Sequence, residues 1–172
     1  MITSLAASVI LMVSINIGME IEPWRAINDG VMGGISSGAM RSEGPGLRFT
    51  GELSLENNGG CASVRRLVDA DLAETTGVRL EVRGDGREYQ FRIRQDGRFD
   101  GVAWRVKFQT DGSRQTLDFG FDEFEPVFRG RAVDAGPVEP AAIAQVGFMI
   151  ADRRPGAFQL EIRNIEFIAA DS

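Results

Sequence analysis

Gly34-Ile35-Ser36-Ser37-Gly38 carries the G-x-S-x-G spacing of a hydrolase nucleophile elbow. In that motif a serine on a strand–turn–helix corner is activated by a histidine elsewhere in the chain. This 172-residue chain has no histidine. The absence removes His-based general acid–base catalysis, Ser-His and Cys-His nucleophile pairs, and histidine-ligated zinc or iron. The stretch therefore reads as a glycine-serine turn leading into a strand. Cys61 is the single cysteine, so there is no intramolecular disulfide and no cysteine-rich metal site. It reads as a small apolar strand residue. Lys107, the only lysine, lies in no Gly-Lys-Ser/Thr phosphate loop. Gly84-Asp85-Gly86 opens like a dinucleotide fingerprint, but Tyr89 stands where the third glycine belongs.

Carboxylates are plentiful. Asp96 with Asp100, or Asp29 with loop carbonyls, are the candidates for an acid–base pair or a calcium site. No spacing singles out a pair and no calcium-loop pattern occurs, so they read as solvated loop carboxylates. No catalytic residue, metal or cofactor is expected. The formal net charge is −6 and the basic residues are scattered along the chain, which argues against a nucleic-acid partner held through phosphates. Sugar binding by ring stacking would need exposed aromatics. Tyr89 and Trp104 sit on core faces by alternation, whereas Trp24 is undecided. Trp24 or Phe99 exposed beside a polar groove would favour a carbohydrate-binding module, the alternative reading.

The elements that must position these groups are strands. Leu47, Phe49, Gly51, Leu53 and Leu55 alternate with Arg48, Thr50, Glu52 and Ser54, the period-two pattern of a strand with one face buried. Asn57-Asn58-Gly59-Gly60 marks a turn before a strand over Cys61 to Leu67. Val78, Leu80 and Val82, then Tyr89, Phe91 and Ile93, alternate on either side of Gly84-Asp85-Gly86-Arg87, which predicts a hairpin. Trp104, Val106 and Phe108 continue the pattern after a turn at 96–101. Thr116 to Phe121 is a further strand. Residues 123–131 predict a long aromatic loop over the core, and Pro137 to Ala144 a brief helix. Val146 to Ile150 predicts a central strand buried on both faces. Phe158, Leu160 and Ile162 slip by one position to Ile165 and Phe167, which predicts a bulge near Arg163-Asn164.

Many short strands with turns every ten residues or so predict an all-β chain, a single-domain β-sandwich of jelly-roll type. The sandwich is placed at residues 21–170, after an apolar N-terminal extension at 1–20. The extension lacks the basic start of a secretory signal and is short for a membrane span. It is expected to pack as a helix or strand or to remain loose. The chain is then cytoplasmic, meeting a membrane only through a partner, or exported if residues 1–20 act as a signal.

Trp24 followed by Asn28-Asp29-Gly30-Val31-Met32-Gly33-Gly34-x-Ser36 resembles the signature of the complex I intermediate-associated protein family. Further pieces follow in the family's order: Phe49-x-Gly51-x-Leu53, Asn57-Asn58-Gly59-Gly60-x-Ala62-Ser63-Val64-Arg65, Gly84-Asp85-Gly86-Arg87-x-Tyr89, Phe124-x-Pro126-x-Phe128-Arg129-Gly130-Arg131 and Gly156-x-Phe158-x-Leu160. The resemblance implies a galactose-binding-like β-sandwich. It also implies a chaperone-like, non-enzymatic protein that binds intermediates of NADH:ubiquinone oxidoreductase, respiratory complex I, during assembly. The polar members of these pieces are nominated as partner- or ligand-binding: Asn28, Asp29, Ser36, Arg65, Asp85, Arg87, Arg129 and Arg131. The competing reading is that the Asn, Asp and Ser side chains cap turns while the arginines brace loops.

Overall fold

The structure is a computed structural model that describes residues 13–28 and 35–169. Asp29 to Gly34, most of the glycine loop, lie outside them. Among the described residues the strands in chain order are β1 (Ser14–Ile17), β2 (Arg25–Asn28), β3 (Ser37–Glu43), β4 (Gly46–Leu53), β5 (Ala62–Leu67), β6 (Gly77–Arg83) and β7 (Glu88–Arg94). They continue with β8 (Ala103–Gln109), β9 (Arg114–Gly120), β10 (Glu125–Phe128), β11 (Arg131–Ala132), β12 (Gln145–Ile150) and β13 (Gly156–Ile168).

The strands form two antiparallel sheets, the jelly-roll sandwich expected from the alternation. One sheet runs β3-β4-β13-β6-β9, and β1 adds to β13 from Ser14↔Ile168 to Ile17↔Ile165. Part of the apolar extension is thus a paired strand. The second sheet runs β11-β10-β8-β7-β12-β5-β2. Apolar positions of both sheets meet between them. Phe49 of β4 and Phe158 of β13 stand 4.9 Å apart, and Tyr89 of β7 reaches across to within 6.4 and 6.5 Å of them. Phe91 contacts Phe148 at 5.3 Å in the second sheet. Edge-to-face pairs of this kind contribute about 0.5–1.5 kcal/mol each beyond the area they bury. The anticipated bulge is present as a register shift between Ile162 and Asn164. It lets Phe158, Leu160, Ile162, Ile165 and Phe167 all face the core.

Three expectations change. β6 and β7 are not a hairpin: β6 pairs with β9 and β13, β7 with β8 and β12, so Gly84–Arg87 is a corner that carries the chain between sheets. Strands facing one core from opposite sheets show the same alternation as strands side by side, which is why a tight turn between them reads as a hairpin. Residues 123–131 are not a loop. They include β10 and the Arg129-Gly130 turn into β11, beside the sheet edge where a strand proline is tolerated. The helix expected at 137–144 is reduced to one 3-10 turn, Pro140–Ala142. Val146–Ile150 is central as expected, flanked by β7 and β5.

Candidate functional site

β5, β7, β8 and β12 each give alternate residues to the core and the others to the outer face of the seven-stranded sheet. Antiparallel register lines up the outward residues in rows. One row reads Arg25, Arg65, Gly147, Arg92, Arg105, Glu125 across β2, β5, β12, β7, β8 and β10. The next reads Ile27, Ser63, Met149, Gln90, Lys107. Gly147 bares the backbone at the middle of the first row. A side chain there would place its Cβ 2.5 Å from the Val64 carbonyl oxygen.

The rows floor a groove of about 480 Å³, whose lining includes Arg65, Arg92, Arg94, Arg105 and Arg129. Asn58 and Cys61 line it on one side, and Phe99, Asp100, Gly101 and Gly130 on the other. The loop carrying Phe99 is held down by buried Gln145, whose Nε2 donates to the carbonyls of Asp96 at 2.8 Å and Arg98 at 3.0 Å. Phe99 is 57% exposed. The Arg65 guanidinium lies 5.3 Å from its ring centroid and donates to its carbonyl at 2.6 Å. On the other side of Phe99 a second hollow of about 380 Å³ is lined by Arg25, Arg66, Leu67 and Arg98, sharing Ile27, Arg65 and Phe99 with the first.

Charge in this groove is unbalanced. Arg129 donates to Asp100 Oδ2 at 2.8 Å and holds that carboxyl below its usual range. Arg105 reaches Glu125 at 3.3 Å. Among the described residues, Arg92 donates only to the amide oxygen of Gln90, at 2.8 Å, and Arg94 to the Gly101 carbonyl at 3.0 Å. Burial, then the neighbouring charge of Arg94, lowers both Arg65 and Arg92 to about 10. Burial lowers Arg94 as well, against the pull of Asp100 and Asp96. All three stay charged at neutral pH. Among the described residues no group of three or more His, Cys, Asp or Glu side chains converges as a metal site would.

Of the nominated residues, Asn28, Arg65 and Arg129 line the groove. Asn28 donates to the Gly38 carbonyl, and its buried Oδ1 has no hydrogen-bond partner among the described residues. Asp29 lies outside the described residues. Buried Ser36 exchanges two hydrogen bonds with the Ser54 backbone, 2.9 and 3.0 Å, tying β3 to the end of β4. Asp85 and Arg87 sit at the corner between β6 and β7. Asp85 accepts from the Gln159 amide at 2.8 Å and from the Tyr89 hydroxyl at 3.0 Å. Arg87 grips Asp152 at 2.7 and 2.9 Å. Arg131 is exposed on the short edge strand β11 and is not among the groove residues. Phe99 was named only for the sugar-binding reading, and Arg92, Arg94 and Arg105 were not nominated. Their signal was the wet face of the β7–β8 hairpin, where Gln90, Arg92, Arg94, Arg105 and Lys107 stand with Glu88 as the sole acid. The corresponding face of β4 mixes Arg48, Thr50 and Glu52.

Residues 14–162 match the family model described as Complex I intermediate-associated protein 30 (CIA30). The chain belongs to that family. It is 28% identical over 167 residues to mouse "Complex I intermediate-associated protein 30, mitochondrial", covering 83% of this chain and 51% of the mouse protein. It thus spans about half of that CIA30 relative. An uncharacterized protein of Schizosaccharomyces pombe is 26% identical over 171 residues, 86% of this chain and 78% of the yeast protein. Among solved structures, a family 11 carbohydrate-binding module from Clostridium thermocellum in complex with a β-1,3-1,4-mixed-linked tetrasaccharide superposes with a TM-score of 0.67. The identity is 18%, covering 91% of this chain and 96% of the module. A family 29 carbohydrate-binding module gives 0.54 at 11% identity, covering 93% and 94%. At these identities the likeness shows the β-sandwich fold of this CIA30 member and nothing about its ligand. No helix among the described residues is long and apolar enough to cross a membrane.

Proposed function

We propose that this CIA30-family chain is a non-enzymatic, protein-binding module: a chaperone-like assembly factor for respiratory complex I or a related complex. The family match over residues 14–162, with the name carried by the mouse relative, supports the reading most directly. The arginine-floored groove suits it, since it offers hydrogen-bond donors and an exposed ring to a partner surface. Arg65, Arg129 and Asn28 are the nominated residues placed to take part. The setting proposed is the cytoplasm, with the membrane reached through the partner. Gene deletion in the source organism is expected to lower assembled complex I on native gels, together with NADH:quinone activity. A tagged chain is expected to recover respiratory subunits. Unchanged complex I together with a pull-down free of respiratory subunits would overturn the proposal.

A carbohydrate-binding role has one observation in its favour, the exposure of Phe99 beside a polar groove. Tyr89 and Trp104 are buried, and Trp24 is packed against Phe148 at 6.1 Å with 8% exposure. Phe99 itself carries Arg65 against its ring. A glycan array checks the role: specific binding to a neutral oligosaccharide would support it and the absence of hits would end it.

A further inference from the structure

Arg65, Arg92 and Arg94 are the least compensated charges of the groove. None has a carboxylate within ion-pair distance among the described residues, although the chain as a whole is acidic. Their donors are met only by neutral oxygens: an amide for Arg92 and backbone carbonyls for Arg65 and Arg94. Asp100 acts on Arg65 and Arg94 only from a distance and is bonded to Arg129, so gathering these half-buried cations costs free energy that an entering anion in direct contact would return. The floor is shaped for it. Gly147 separates Arg65 from Arg92 in the row without filling the space between them, and Arg105 follows Arg92. A planar fork of N–H donors matches a carboxylate two bonds at a time, which a lysine could not do.

We propose that the Arg65–Arg92–Arg94 cluster is a carboxylate-binding site that seats an acidic segment of a partner protein. The choice of a peptide over an acidic glycan rests on two observations. One face of Phe99 is occupied by Arg65, which leaves a sugar only the other face of the ring. The adjoining hollow sets apolar Leu67, 63% exposed, and Ile27 among Arg25, Arg66 and Arg98, so successive acidic and apolar side chains of an extended segment would both find contacts. This occupant rests on the protein-binding reading above; the carboxylate site itself does not.

Fluorescein-labelled hexaglutamate, with hexaglutamine carrying the same dye as control, is the probe, read by fluorescence anisotropy on the full chain. The full chain is expected to bind hexaglutamate but not hexaglutamine, with affinity falling as salt rises. Arg92→Gln is expected to weaken binding about tenfold or more, the loss of charge-assisted hydrogen bonds. Arg41→Gln, on the other sheet, should leave binding unchanged. If Arg92→Gln does not fold by circular dichroism, Arg94→Gln and Arg65→Gln carry the same test. Absence of hexaglutamate binding, or equal binding by the Arg92 and Arg41 variants, would overturn the site. Polygalacturonate binding more tightly than hexaglutamate would replace the peptide with an acidic glycan. The two proposals separate cleanly. Hexaglutamate binding lost in Arg92→Gln, with complex I unchanged by gene deletion and no respiratory subunit recovered in pull-downs, keeps the site and ends the assembly reading. Respiratory subunits recovered equally by the unaltered chain and by Arg92→Gln keep the assembly reading and end the partner segment as the occupant of this site.

Discussion

Arg87 and Arg92 are two guanidiniums in one stretch of chain, the first just before β7 and the second within it, in opposite electrostatic situations. Arg87 makes two bonds to Asp152, donates to the carbonyls of Gly156 and Ala157 at 3.1 and 3.0 Å, and also bonds the Arg154 carbonyl. Both side chains of the pair are nearly inaccessible, at 7% and 6%. With its hydrogen-bond demand met, Arg87 is raised above its ordinary value, chiefly by the Asp152 bond. Burial alone would push the Asp152 carboxyl up. The bonds from Arg87 and the Arg154 amide outweigh burial and leave it below its ordinary value. Removing one partner of such a pair strands the other, so Arg87→Met is expected to cost about 3–5 kcal/mol, read from urea denaturation. The pH dependence has a definite sign. A carboxyl whose folded-state pKa is depressed stabilises the fold above its unfolded value, and that contribution is lost as pH falls through the folded one. The urea midpoint of the unaltered chain should therefore fall with acid below the ordinary Asp range. In Asp152→Asn that part of the fall should be missing.

β12 shows what an element must supply for the groove to exist. It lies between β5 and β7, with Phe148 in the core and Gly147 opposite Arg65 and Arg92. A Cβ at Gly147 would meet the Val64 carbonyl at 2.5 Å and Arg65 Cβ at 3.2 Å, so the strand must shift to admit one. Gly147→Val is expected to cost about 1–3 kcal/mol as an overpacking substitution, measured by thermal or urea unfolding. It should also block the middle of the arginine row. Residue alternation made most of the strands legible, and the one-residue slip after Ile162 revealed the bulge, because both are properties of a single strand. Sheet membership was not legible, because it depends on strand pairing. Gly84–Arg87, Asn57–Gly60 and Asp152–Gly156 all look like turns, and all of them change sheet. The groove was half legible for the same reason. Arg65 and Arg129 stand in recognisable sequence pieces. The row joining Arg65 to Arg92 and Arg105 exists only once four strands are in register across Gly147.

Over the whole molecule, an acidic sandwich of net charge −6 sets three arginines, none in ion-pair contact with a carboxylate among the described residues, side by side in one depression on one sheet. Such a body repels polyanions at a distance while offering close-range donors to a carboxylate that fits the groove. Binding sites of this kind are maintained against the stability of the empty fold. A direct comparison follows between two methionine substitutions of similar volume in the same chain. Arg87→Met removes a guanidinium whose partners depend on it and should lower stability by the 3–5 kcal/mol given above. Arg92→Met removes a half-buried cation that is repelled by Arg94, Arg105 and Arg65. Relief of that repulsion and of the desolvation penalty favours the variant. Against it stands the loss of one bond to Gln90 Oε1, about 1–3 kcal/mol for an acceptor left buried. The two oppose each other, so Arg92→Met is expected to destabilise the chain by well under the about 3–5 kcal/mol of Arg87→Met in urea denaturation while losing hexaglutamate binding. Hexaglutamate should raise the melting temperature of the unaltered chain, because a ligand of the folded state stabilises it by mass action, and should leave that of Arg92→Met where it was. A large destabilisation by Arg92→Met would instead mark Arg92 as a brace of the sheet, equivalent to Arg87.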